Sequence, residues 1–465
     1  MRGLLAVLVL VLALVAGALW WLKFEHRRPE AVLAKSVDVV GRQPKIDVDV
    51  RSSGPGLRTV TVRLQSGGAV FDLLQESYPA RSWLGSGLNE QHLHVEPDLR
   101  QLKVPEGPAT LEVFVDTWAW HLLARTAPAL SQPISVDLTP PKVELLTTQH
   151  NVRLGGVELA LFRQSPDTAE SGVQVDKYFF PATTGYFADH DIALALFAVP
   201  QDLTAEARPR VMARDAAGNE RLVDLPCLIK PRRFAERTLA IGDDFLARKV
   251  PELEQANGLA LASDLVQGYV FINKELRQSN EARIRQLTQH STPEPLWDGP
   301  FHRQSNAAAL SSFADRRTYT HDGEVIDRET HLGYDLASLK LAPVEATQNG
   351  VVVYAGNLGI YGNAVILDHG LGIFSLYGHL STIGVQQGEQ VKREQTLGQT
   401  GETGLAGGDH LHFSIMLYGV HVDPVEWWDP HWLRDHVTAK LKMFPRPAPA
   451  ASGGDGSSAG ETKPR

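Results

Sequence analysis

At 465 residues the chain is longer than one hydrophobic core comfortably supports, so several domains are expected. Its net charge of −9 gives no general attraction for nucleic acid or anionic lipid, and 43% hydrophobic against 21% charged residues is the balance of a folded protein. The one cysteine, Cys227, excludes an intramolecular disulfide and a cysteine-built metal centre, which leaves any metal chemistry to His, Asp and Glu.

Residues 1–30 are expected to anchor the chain in a membrane. From Gly3 to Leu22 there is no charge and mostly Leu, Val and Ala, and about 20 such residues cross a bilayer as a helix. Trp20 and Trp21 stand where an interfacial aromatic belt belongs. Ala16-Gly17-Ala18 resembles a small-residue cleavage site, but the apolar run continues past it, which favours an uncleaved anchor over a signal peptide. Basic residues on both sides of the run leave its orientation undecided.

Two β modules follow. Over 36–138 the runs Ile46–Val50 and Val60–Leu64 alternate with period two, and further strands are expected at 92–95, 109–115 and 134–138. Over 139–230 the run opens on Thr139-Pro140-Pro141 and closes on Asp215-Ala216-Ala217-Gly218-Asn219, a pairing that resembles bacterial immunoglobulin-like repeats. Both read as β-sandwich spacers or binding modules, with an envelope protein as the conceivable partner. The period then changes. Over 231–291 a helical connector is expected, with Leu265, Tyr269, Ile272 and Leu276 on one face and Ser263 or Asp264 as N-cap. A shorter helix over 243–249 is expected to stop at Pro251. Strand signals return over 292–430, and the Pro-, Ala-, Gly- and Ser-rich tail 444–465 is expected to be disordered.

Eleven of the 17 histidines fall between His290 and His436, and three local patterns there carry chemistry. In His331-Leu332-Gly333-Tyr334-Asp335, an extended backbone points the first and last side chains the same way, half of a plausible metal site. In His410-Leu411-His412-Phe413, both imidazoles share one strand face while Leu411 and Phe413 take the other. The third is Tyr377-Gly378-His379-Leu380, where a single His ends an apolar strand. An internal control limits the second pattern. His92-Leu93-His94 has the same spacing in the first β module without the other two motifs, and reads as surface decoration.

Taken in order, the three patterns resemble the LytM/lysostaphin-type zinc endopeptidases of peptidoglycan. The likeness runs from Phe313 to Pro424. It includes Arg316-Arg317, Tyr361-Gly362-Asn363, Asp368-His369-Gly370, Gly401-x-Thr403-Gly404 and Val422-Asp423-Pro424. The resemblance implies zinc held by His331, Asp335 and His412, with His379 and His410 flanking the reacting water; which of those two is base and which is acid stays open. It also implies peptidoglycan peptides as substrate and an extracytoplasmic peptidase domain. Ala314 and Glu394 stand where the family often has Gly, Asp409 where it has Pro, and Ser414 where Glu is common. Some relatives keep this fold as non-enzymatic activators of other wall hydrolases, which is the alternative function.

The expected fold is therefore mostly β and multi-domain: a membrane helix, two immunoglobulin-like modules, a helical connector and a C-terminal antiparallel β peptidase domain.

Overall fold

The computed structural model describes residues 2–24, 27–83, 85–120 and 127–447. The chain is mostly β and divides into two compact units. The first comprises Met1–Lys142 with Asp167–Glu170 and Ala213–Arg221. The second comprises Val143–Pro166, Ser171–Met212 and Leu222–Arg465.

The first unit opens with the helix Arg2–Lys23, whose segment Gly3–Lys23 has a mean hydropathy of 2.7, apolar enough to span a membrane or to serve as a signal sequence. Two sheets follow. One orders Glu30–Leu33, Ile46–Arg51 and Glu90–Val95; the other orders Val39–Val40, Leu130–Val136, Gly107–Thr117, Leu57–Ser66 and Ala69–Ser77. Every second residue of Ile46–Arg51 is buried, so its period-two reading holds; in Leu57–Ser66 Val60, Val62 and Leu64 are buried as expected, but Thr61 between them is buried too. The inward residues Val48, Leu93, Val60, Val62, Leu111 and Val113 share one apolar cluster.

In the second unit, a sheet built from residues 308–422 positions the site. Its strands run Ala308–Ser311, Tyr334–Ala337, Leu411–Leu417, Ile373–Leu380, Asn363–Asp368, Gly350–Asn357 and Gln390–Val391, with Val420–Val422 paired to Leu411–Leu417. All these pairings are antiparallel.

The central strands are apolar on both faces because both faces are covered. Val365, Leu367, Phe413 and Ile415 pack in one cluster with Leu159, Leu161 and Phe197 from the strands Val157–Gln164 and Ile192–Ala198. Ala364, Ile366, Phe374 and Met416 face the other way, onto Leu246, Val250, Tyr269 and Ile272. On Leu411–Leu417 alternation therefore puts His412 and Ser414 on the face that carries Met416, toward the helices.

Those helices correct part of the sequence reading. Asp264 is the N-cap, its carboxylate accepting from the amides of Val266 and Gln267, and Tyr269, Ile272 and Leu276 are buried as the spacing implies. Pro251 does not stop the preceding helix, which runs Asp243–Ala256 through it. Proline removes one intrahelical hydrogen bond, but Leu246 and Val250 before it and Leu253 after it are all buried in one cluster, and that packing carries the helix across the gap. The segment also holds a strand, Glu236–Ala240, which pairs in parallel with Asp315–His321.

The tail is ordered further than its composition suggests. Phe444 packs edge-on against Phe187, and the Pro445 carbonyl accepts from the amide of Ala188 at 2.9 Å. The expected disorder beyond 447 falls outside the described residues.

Candidate metal centre and active site

The strand Glu324–His331 ends on His331, and after the Leu332-Gly333 link Tyr334–Ala337 begins, so His331 and Asp335 stand on two different strands. This corrects the expectation of a single extended segment: the two side chains meet because the backbone changes direction between them. A Cβ at Gly333 would stand 2.6 Å from His412 Nε2 and from Ser414 Oγ, so the link passes where only a glycine fits. Asp335 pairs in register with His412 on the next strand.

The three side chains converge. His331 Nε2 lies 2.9 Å from Asp335 Oδ1 and 3.0 Å from His412 Nδ1, and Asp335 Oδ1 lies 3.3 Å from His412 Nδ1. Four tetrahedral ligands at zinc-to-nitrogen bond lengths would stand about 3.3 Å apart, so this triangle is close to the size a tetrahedral ion requires. All three residues are buried, and the group is one that can hold a metal ion.

The tautomers agree with that reading. His331 Nδ1 faces the Ser312 carbonyl at 3.3 Å and must carry the proton, which leaves the Nε2 lone pair directed at the triangle. Ser414 Oγ donates to the Leu332 carbonyl at 2.8 Å and so accepts from His412 Nε2 at 3.0 Å, which leaves the Nδ1 lone pair directed inward. Two lone pairs and a carboxylate oxygen facing one another at such distances repel unless a cation lies among them. Burial alone would raise Asp335, but positive charge and N–H groups on His331, His410 and His412, in the place a bound cation would take, hold its carboxyl well below the usual range; burial pushes His412 down to about 3. Both are then in the forms a metal needs.

His379 and His410 complete the cluster, their ring centroids 4.9 Å apart. His379 Nδ1 donates to the Thr403 carbonyl and His410 Nδ1 to the Gly408 carbonyl, each at 2.8 Å, so both rings present Nε2 to the site. His410 Nε2 stands 3.4 Å from Asp335 Oδ1. Burial and the neighbouring His410 and His412 push His379 well below its ordinary value, so it is neutral, whereas Asp335 outweighs burial and raises His410. His379 also sits at φ 63°, a conformation that side chains rarely adopt and that holds the ring at the end of its strand. A cavity of about 600 Å³ opens over these residues.

Residues 329–424 match the family described as Peptidase family M23. The lipoprotein NlpD of Yersinia enterocolitica is 42% identical over 94 residues, which cover 20% of this chain and 96% of that sequence. This chain belongs to peptidase family M23. The DD-carboxypeptidase/endopeptidase Mpg of Neisseria meningitidis serogroup B (strain ATCC 13091 / M2091) is 40% identical over 95 residues, 20% of this chain and 22% of that protein. The murein hydrolase activator NlpD of Salmonella typhimurium is 37% identical over 132 residues, 27% of this chain and 35% of that protein. The chain thus spans 22% of the length of the Mpg relative.

The four departures from the M23 pattern acquire physical content. Ala314 and Glu394 have φ of 60° and 66°, the left-handed region where glycine is unstrained. Asp409 accepts from Thr400 Oγ1 at 2.6 Å and from the Leu341 amide at 3.1 Å, holding by hydrogen bonds the loop before the His pair. Ser414 orients His412. The motif Asp368-His369-Gly370 is structural: Asp368 accepts from Ser291, Thr292 and Gly370, and His369, bonded to the Asn349 carbonyl and to Ser375 Oγ, is pushed by burial down to about 4 and stays neutral. The stray pair His92 and His94 is exposed and engages Asp49 and Asp47 across the sheet, as the surface reading expects. Sequence reasoning gave no role to Arg317, whose Nη2 donates to Asp335 Oδ2 at 2.7 Å, and did not single out Arg237 or Arg277, which line the same cavity.

Proposed function

We propose that the chain is a zinc-dependent endopeptidase of peptidoglycan stem peptides or cross-bridges, held in the bacterial envelope by its apolar N-terminal helix with the bulk of the chain outside the cytoplasm. The observation that carries this reading is the converging triangle of His331 Nε2, Asp335 Oδ1 and His412 Nδ1 beneath an open cavity, with two further imidazoles presenting Nε2 beside it. Zinc bound there would supply Lewis acidity toward the scissile carbonyl and acidify a water molecule. His379 or His410, in its neutral form, can accept a proton from the attacking water, and the other ring can stabilise the developing oxyanion or protonate the leaving amine. Arg317 holds the second oxygen of Asp335, so that Oδ1 faces the triangle.

The β-rich segments 36–138 and 139–230 are, in this reading, immunoglobulin-like modules that space the peptidase from the membrane or recruit an envelope partner. The buried alternation of the first supports this.

The test uses the full-length protein on purified sacculi, with released peptides identified by mass spectrometry. Wild type loaded with zinc should release peptides, and a chelator, His410→Ala or His379→Ala should each lower release at least a hundredfold. Zinc-loaded wild type that releases no more than His410→Ala sinks the reading. A second reading is favoured by the activator name of the Salmonella relative: the domain stimulates another hydrolase without cleaving. That version expects a His331→Ala, His412→Ala double variant to function normally in cells, and an intact set of five site residues speaks against it.

A further inference from the structure

Part of the cavity wall comes from residues that precede the M23 match. Arg237 belongs to the strand Glu236–Ala240 and Arg277 to the helix Arg277–Leu287, and both line the cavity together with Arg317 and the His cluster. The chain carries a net charge of −9, yet this wall presents three guanidiniums against the carboxylates of Asp335 and Asp409. Asp409 is already engaged by Thr400 and Leu341, and Asp335 by the metal triangle and Arg317.

The three arginines are not equivalent. Arg317 is turned onto Asp335, and Arg237 stands with its Nε 3.2 Å from the wholly buried Asp315 and its Nη1 on the Leu310 carbonyl. Arg277 is held by neutral groups: Nε donates to the Asn273 carbonyl at 3.0 Å and Nη2 to Asn273 Oδ1 at 2.6 Å. Asn273 is itself fully buried and fixed by donating to Asp327 Oδ2 at 2.7 Å. Among the described residues Arg277 makes no ion pair; Glu281 and Glu329 feel its charge without touching it, Glu281 being taken by His421 and Tyr361 and Glu329 being pushed by burial toward its neutral form. A guanidinium held in place with no carboxylate in direct contact, at the edge of a peptide-sized cavity, is ready for one, whose two oxygens match its fork.

We propose that Arg277 binds a free carboxylate of the peptide substrate, so that the enzyme selects peptides bearing that carboxylate over amidated counterparts. The helical segment is then a wall of the substrate groove as well as a support for the sheet. This specificity role rests on the peptidase reading above, and the experiment separates the two.

Full-length, zinc-loaded protein is given a cross-linked stem peptide with free carboxylates and the same peptide fully amidated. Wild type should favour the free acid, and Arg277→Ala should lower kcat/KM for it roughly 10- to 100-fold, mainly through KM, while leaving the amidated peptide nearly unchanged. Arg277→Lys, which keeps charge and helix but loses the fork, should recover only part of the preference. Binding of both peptides to His410→Ala protein, with and without Arg277→Ala, gives a readout that needs no turnover. Equal cleavage of both peptides by wild type, unchanged in Arg277→Ala, overturns this inference and leaves the peptidase reading standing. Carboxylate-selective binding through Arg277 without any cleavage does the reverse. Neither binding nor cleavage defeats both.

Discussion

Ser414 decides which nitrogen His412 presents. Its hydroxyl donates to the Leu332 carbonyl and accepts from His412 Nε2, so removing it frees the imidazole to take either tautomer and to rotate. Ser414→Ala should therefore lower zinc affinity about 10- to 100-fold without unfolding the protein, measured by competition with a chromophoric chelator. Unchanged affinity would show that packing alone orients the ring. At this scale the sequence was legible where order and co-occurrence of motifs carried information: His331, Asp335, His379, His410 and His412 do come together. It misled on the reason, since His331 and Asp335 meet across two strands rather than along one. Arg237 and Arg277 were illegible because they lie outside every motif, and only the parallel pairing of Glu236–Ala240 and the packing of the helices bring them to the cavity. The carbonyls of Ser312, Thr403 and Gly408 that set the tautomers are backbone groups, which no residue-type pattern can reveal.

Elements were read well where their period was strong and poorly where a single residue was taken as a stop. Pro251 was such a residue: local propensity marks an end, and burial of Leu246, Val250 and Leu253 overrides it. Glu394 is the converse, a position where the local backbone asks for glycine and the chain supplies something else. It sits at φ 66° in the turn Lys392–Gln395, with its amide donating to the Ala346 carbonyl. The left-handed conformation costs a side chain about 1–2 kcal/mol, and glycine returns about half of that gain through its greater freedom when unfolded. The carboxylate is over half exposed, and its contacts with Arg393 and His302 at 3.3 and 3.6 Å are of the surface kind that contributes little. Glu394→Gly should then raise the melting midpoint by about one to three degrees with activity unchanged. A lower midpoint in calorimetry would mean that those ion pairs outweigh the strain.

For the second unit as a whole, one group ties the start of the strand Val157–Gln164 to the helix Pro424–Trp428 at the end of the M23 domain in a pH-dependent way. Glu426, in the helix Pro424–Trp428, accepts from the Val157 amide through Oε2 at 2.9 Å, and a Cβ on Gly156 would come within 2.4 Å of its Oε1. The helix is capped by Asp423, which also pairs with Arg232 and whose own amide donates to the Gly155 carbonyl. Burial, reinforced by the charges of Asp423 and Glu158, pushes the Glu426 carboxyl up to about 8, well above its ordinary 4.5. The folded state therefore keeps a proton that the unfolded chain has already lost. The contribution is fully present below about pH 4.5 and drains away as pH rises through about 8, because the unfolded state ionises first and gains the advantage. Glu426→Gln keeps the oxygen that accepts from Val157 and cannot ionise, so it should unfold at nearly the wild-type urea concentration at pH 5 and at a distinctly higher one at pH 8.5. The comparison between the two proteins cancels the other titrating groups, including the histidines of the candidate metal site. Parallel pH profiles would mean that Glu426 is charged in the folded state, and that the 155–157 turn is held to the M23 domain by its carboxylate rather than by the neutral acid.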